Sequence, residues 1–327
     1  MDNYPISSNS LEKYYHVNGK SLSQQYKDHL SDYLQWEQKD HAKEWLLFPQ
    51  NMGKRLSIDE TSLSNGDLYT IVTNKDAHGK KGALVAMVEG TESAKIISVL
   101  EKMSDSILNI VEEVTLDMAG SMNKIVRRCF SKASRVTDRF HVQKLAYDAI
   151  QEIRIGYRWE AIEKENEQRK TAKENKENFS QKLFENNDSE KQLLARSRYL
   201  LFKARNDWTQ KQKNRAEILF REFPSLGKAY KLAHSLRIIY SKTKDKAIAF
   251  TKLAHWYKEV EEAGFKSFNT IVNTIQSHYQ NILNFFDHRS TNASAESFNA
   301  KLKAFRRTQR GVSDMNFFLF RVAMIYA

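Results

Sequence analysis

The chain has 327 residues, and its 52 lysines and arginines outnumber its 40 aspartates and glutamates to leave a net charge of +12. A hydrophobic content of 41% excludes a disordered chain, and the basic surplus favours a polyanionic partner, nucleic acid before acidic membrane. A single cysteine, Cys129, excludes an internal disulfide and indicates a reducing compartment. No apolar signal segment opens the sequence and no run approaches the roughly 18 apolar residues of a membrane span, so a cytoplasmic protein with no membrane partner is expected.

Residues 1–53 read as a helical leader, in which QYKDHLSDYLQWEQKDHAKEWLLF carries a helical pattern that stops near Pro49. The character then changes. KRLSIDETSL alternates apolar Leu56 and Ile58 with polar neighbours, as a half-buried strand does. Asn65-Gly66 follows, a strong hairpin signal, and DLYTIVTN is the return strand. DAHGKKG is a second turn before a third strand, ALVAMVEG.

The period then switches to helical. SAKIISVLEKMSDSILNI puts Ile96, Leu100, Met103 and Ile107 on one helical face, and EVTLDM is a fourth strand. GSMNKIVRRCF spaces Met122, Ile125, Val126, Cys129 and Phe130 as an amphipathic helix. SRVTDRF is a fifth strand, with a helix beginning near His141.

Three hairpin-connected strands followed by helix, strand, helix, strand and helix give the element order of a ribonuclease H-like α/β fold. Its mixed five-stranded sheet would be flanked by helices. A doubly wound sheet would not open with two tight hairpins. The core would occupy 54–150 and return over 286–327, with a large all-α insertion over 151–285. Residues 160–190 are dense in both charge signs and read as a solvated helix face or loop. Leu226, Tyr230, Leu232, Leu236 and Ile239, with Phe250, Trp256 and Phe265, read as helical core.

Two aspartates close successive strands, Asp117 in VTLD and Asp138 in RVTD. In a ribonuclease H-like sheet the first and fourth strands are parallel neighbours about 4.8 Å apart, so Asp59 in IDET and Asp117 could converge on one metal ion. Asp138, one strand further out, would lie roughly 10 Å from the first strand and support the site instead of building it. Carboxylates suit a hard divalent cation, and such ions stabilise both attacking and leaving oxygens in phosphodiester cleavage.

Glu296 is the best third carboxylate. In RSTNASAESFNAKLKAFRRTQRG, Ala295, Phe298, Leu302 and Phe305 form an apolar stripe, while Asn292, Glu296, Asn299, Lys303 and Arg306 share a neighbouring face. From pattern alone, an ordinary amphipathic helix with a solvated basic face explains this segment equally well.

The run VTLDMAGSMNKIVRRCFSKASRVTDRFHVQKL resembles the hallmark of bacterial insertion-sequence DDE transposases of the ISL-three group, relatives of Mutator-like enzymes. In that group a strand-ending Asp is followed about twenty residues later by D-x-F-H-V. IDET resembles the first catalytic block and SAESFNAKLKAFRR the glutamate block, so the resemblance covers about residues 54–327.

It implies a DDE triad of Asp59, Asp117 and Glu296 holding Mg²⁺ or Mn²⁺, with Asp138 and His141 as an accessory pair. It implies metal-dependent DNA strand cleavage and strand transfer, with Asn292, Asn299, Lys301, Lys303, Arg306, Arg307 and Arg310 on the DNA. A homo-oligomer on DNA and association with the bacterial nucleoid are expected. Family members commonly carry an N-terminal zinc-binding segment and a helix-turn-helix, whereas the leader here is short and lacks cysteine. The expectation is therefore that a separate polypeptide reads the element ends, or that this copy is shortened. Ser297 and Ala300 also stand where the group often has Gly and a second Asn. The rival readings are a ribonuclease H-fold nuclease that cuts without joining, and a non-catalytic DNA-binding relative.

Overall fold

The computed structural model describes residues 1–63, 66–309 and 311–327, apart from the side chain of Lys13. Asn65 of the expected hairpin turn and Arg310 of the basic cluster thus lie outside the described residues. The chain divides into two compact units, Met1–Asp138 with His288–Ala327, and Arg139–Asp287.

The first unit is built on a six-stranded sheet. Its strands are β1 (Trp45–Leu47), β2 (Arg55–Ser62), β3 (Leu68–Asn74), β4 (Leu84–Glu89), β5 (Glu113–Leu116) and β6 (Ser134–Thr137). Their order across the sheet is β1-β4-β3-β2-β5-β6. The pairs β2–β3 and β3–β4 are antiparallel, as tight turns require, while β2–β5 and β5–β6 are parallel. Strands β2 to β6 make the ribonuclease H-like sheet that the element order predicts.

The sixth strand is an addition. The leader holds α1 (Ser8–Tyr15) and α2 (Gly19–Gln25), then a π-turn over Tyr26–Leu30 and a 3₁₀ turn over Lys39–His41. Its end does not continue as helix, because Trp45–Leu47 pairs with Ala86–Val88 and covers the free edge of β4. The helical pattern breaks up because leader rings answer to distant partners. Tyr33 packs edge-on against Phe317 and Phe320 at 5.1 and 5.4 Å between centroids.

Alternation along the strands gives the sheet two apolar faces. Leu56, Ile58, Val114 and Leu116 pack under α3 (Ser93–Leu100) and α5 (Gly120–Cys129), through Ile96, Leu100, Met122 and Ile125. The expected long helix after β4 is two, α3 and α4 (Asp105–Leu108), with Ser104 extended at the N-cap of the second. On the opposite face Tyr69, Ile71 and Met87 meet α14 (Ala293–Thr308) and α15 (Met315–Tyr326), through Phe298, Leu302, Phe305 and Leu319. Asp59 pairs with Ile71 across β2–β3 and so belongs to this second face.

The second unit is helical. It begins with the 36-residue α6 (Arg139–Glu174) and runs through α7 (Glu190–Arg196), α8 (Gln210–Glu222), α9 (Pro224–Lys242) and α10 (Lys246–Ala263). It ends with α11 (Lys266–Ser277), α12 (Tyr279–Leu283) and α13 (Phe285–His288). Leu226, Tyr230, Leu232, Leu236, Ile239 and Trp256 are buried as their spacing predicts, but Phe250 is 56% exposed and is not core. Within the charged 160–190 stretch Glu165 is buried and pairs with Arg169 and Lys191. No helix among the described residues is long and apolar enough to cross a membrane.

Candidate active site

The site is built where β5 ends beside β2, which itself runs on to Ser62. These strands are parallel with Ser57 beside Thr115, so two residues further on Asp59, still within β2, and Asp117, just past β5, take neighbouring positions. Both oxygens of the Asp59 carboxylate are held. The Glu60 backbone N–H donates to Oδ1 at 2.9 Å, and Nδ2 of Asn299, from α14, donates to Oδ2 at 2.8 Å. Asp117 sits just past β5, and its Oδ1 accepts from the Ala119 N–H at 2.7 Å, which turns the chain into α5.

Negative charge accumulates at this corner. Burial raises the Glu60 carboxyl above the usual carboxylate range, and the charges of Asp117 and then Asp59 raise it further. The sequence reading did not single out Glu60, since strict alternation assigns it to the face away from Asp59. The other unanticipated group is Lys75, whose side chain is 12% exposed. Its Nζ donates to Thr115 Oγ1 at 2.8 Å and to Glu113 Oε1 at 3.4 Å. Burial lowers its amine, while the carboxylates of Glu113 and Asp138 act in the opposite sense. No local pattern marks Lys75, which lies in a turn.

Asp138 follows β6, two strands from β2, and is 1% exposed, its N–H bonded to the Leu116 carbonyl at 3.0 Å. His141 belongs to the second unit, in the first turn of α6. On α14, Ala295, Phe298, Leu302 and Phe305 are buried as a stripe, but the polar line beside them is split by burial. Asn292 and Asn299 are buried, while Glu296, Lys303 and Arg307 are exposed. Arg306 has a side chain 17% exposed and places Nη1 3.9 Å from Asp67 Oδ2. Lys301 Nζ donates to the Gly79 carbonyl at 2.9 Å and lines a recess of about 500 Å³ with Lys80 and Lys81.

The donor chemistry of this corner fits a hard divalent cation. Carboxylates gather at this corner, Asp117 and Asp59 both acting on Glu60, and among the described residues the buried Oδ1 of Asn299 has no hydrogen-bond partner. Glu296 stands one turn before Asn299 on α14. The structure does not bring it onto Asp59 and Asp117 as a finished set, for among the described residues no three His, Cys, Asp or Glu side chains are grouped to hold an ion.

A ribonuclease H-like sheet that carries aspartates at neighbouring positions of two parallel strands, beneath a helix bearing a glutamate, indicates the class of proteins that act on nucleic-acid phosphodiesters. The family model for transposases of the ISL3 DDE group matches residues 56–322, and the chain belongs to that family, whose members act on DNA. Comparison with curated proteins and with solved structures finds no match.

Proposed function

We propose that this chain cuts a DNA phosphodiester at the end of an insertion element and joins the freed 3′ hydroxyl to target DNA, with Asp59, Asp117 and Glu296 as ligands of Mg²⁺ or Mn²⁺. The observation that carries this reading is the doubly held Asp59 carboxylate beside Asp117, under the helix that bears Glu296. A bound divalent ion would activate the attacking hydroxyl and stabilise charge on the phosphorus and leaving oxygen. Asp59 and Asp117 present oxygens from adjacent parallel strands, and Glu296 completes the set from α14. Lys303 and Arg307, exposed further along that helix, neutralise flanking phosphates. Lys301, Arg306 and Arg310 belong to the same basic segment. Asp138, buried just past β6, supports the site, and His141 is given its accessory role by the family resemblance. Recognition of element ends is assigned to a separate polypeptide, and the working form on DNA to a homo-oligomer.

The test is a nicking and joining assay on element-end DNA. Asp59→Asn, Asp117→Asn and Glu296→Gln should each abolish Mg²⁺- or Mn²⁺-dependent cleavage while leaving DNA affinity within about twofold, because each swap removes an anionic ligand with little change of shape. Wild-type cleavage by any one variant would remove that residue from the ligand set. Cleavage by the parent without joined product would leave a nuclease.

A further inference from the structure

Asn299 was expected to contact DNA, yet its polar atoms are turned inward. The side chain is 7% exposed, and Nδ2 donates to Asp59 Oδ2 at 2.8 Å across 240 positions of sequence. The orientation of the amide follows from chemistry. The reverse orientation would set the Asn299 oxygen against a carboxylate oxygen, acceptor against acceptor. The arrangement leaves Oδ1 buried without a partner, a cost that an apolar side chain of the same shape would avoid. An amide kept at that cost is explained by what its donor end does.

That donor end acts on the geometry of the site. Asp59 Oδ1 is engaged by the Glu60 N–H, so the second bond from Asn299 fixes the remaining rotation of the carboxylate. It also ties α14 to the middle of β2 one turn after Glu296, on the helix that carries the third carboxylate. Resting on the reading of Asp59 as a metal ligand, we infer that Asn299 is a positioning residue of the metal site. Its Nδ2 holds the Asp59 carboxylate in the orientation that leaves lone pairs for the ion, and sets Glu296 against it. Partners of this kind orient a ligand without touching the metal, and their loss typically weakens metal affinity by about 10–100-fold.

The test is Mn²⁺ binding by the full chain without DNA, followed by electron paramagnetic resonance, on the parent, Asp59→Asn, Asn299→Leu and Asn299→Gln. Leucine keeps the branched outline of asparagine with bulkier methyl ends and removes the donor, whereas glutamine keeps the amide on a longer arm. Asn299→Leu should weaken Mn²⁺ binding about 10–100-fold, and Asn299→Gln should recover part of the loss. DNA affinity measured in chelator should be unchanged in both. If Asn299→Leu does not fold, as judged by its thermal transition, Asn299→Ala takes its place. Parental Mn²⁺ affinity in the donor-less variant, or a loss of chelator-phase DNA affinity, would overturn the inference, the second outcome making Asn299 a phosphate contact. Parental Mn²⁺ affinity in Asp59→Asn is a separate outcome that removes the triad reading itself.

Discussion

Lys75 places an ammonium between β5 and the end of β6, where little water reaches it. Its partner Glu113 is 4% exposed, and the 3.4 Å pair is closed by the 2.8 Å bond to Thr115. Removing one member of a buried pair strands the other charge, at a cost of about 3–5 kcal/mol. Lys75→Met should therefore destabilise the protein by about that amount in urea unfolding, and adding Glu113→Gln should recover most of it. A loss under about 1 kcal/mol would mean that solvent reaches Glu113 and screens it. At this scale the sequence is uneven evidence. Asp117 declares itself by closing a β-like run and Asp59 by standing within one, whereas Lys75 lies in NKDAHGKKG, a stretch whose pattern says only that the chain turns.

Helix α14 shows what an element does with a correctly read pattern. The stripe of Ala295, Phe298, Leu302 and Phe305 is the buried face. The polar line beside it lies at the seam of that face, so Asn292 and Asn299 are taken into the interior while Glu296 and Lys303 stay outside. The basic face is accordingly narrower than the sequence indicates. Lys303→Ala with Arg307→Ala should flatten the slope of log affinity against log salt by about 2, near 0.9 per lost phosphate contact. Arg306→Ala should change it little, because that guanidinium faces Asp67 and its side chain is mostly covered. A larger effect from Arg306 than from the Lys303 and Arg307 pair would show that the helix turns this side to DNA.

For the whole molecule, each of the two units has its own core, and a buried titratable group bears on the second. His234 is 8% exposed, tilted against Tyr230 at 4.1 Å between ring centroids, with Nε2 3.2 Å from the Leu201 carbonyl. Burial pushes its imidazole below the ordinary value of 6.5, so the folded chain takes up this proton later than the unfolded one. Below about pH 6.5 the unfolded state binds more protons, and stability falls as pH drops through that region. The thermal transition of the helical unit should thus move down between pH 7 and pH 5, and by less in His234→Gln. An equal shift in parent and variant would place the acid-sensitive group elsewhere.

The sequence by itself determined the ribonuclease H-like frame of β2 to β6 and the aspartates on its neighbouring parallel strands. Each follows from a signal that acts within a few residues: period two, period 3.6, or a turn-forming pair. Only the tertiary structure decided what depends on a distant partner. Trp45 becomes strand because Val88 offers an unpaired edge, and Lys75 is buried because Thr115 lies 40 positions away to receive it. Asn299 turns from solvent because Asp59, 240 positions earlier, accepts its amide. Hydrogen bonding and burial of polar groups are settled by what folding brings alongside, and no local window contains both halves of such a pair.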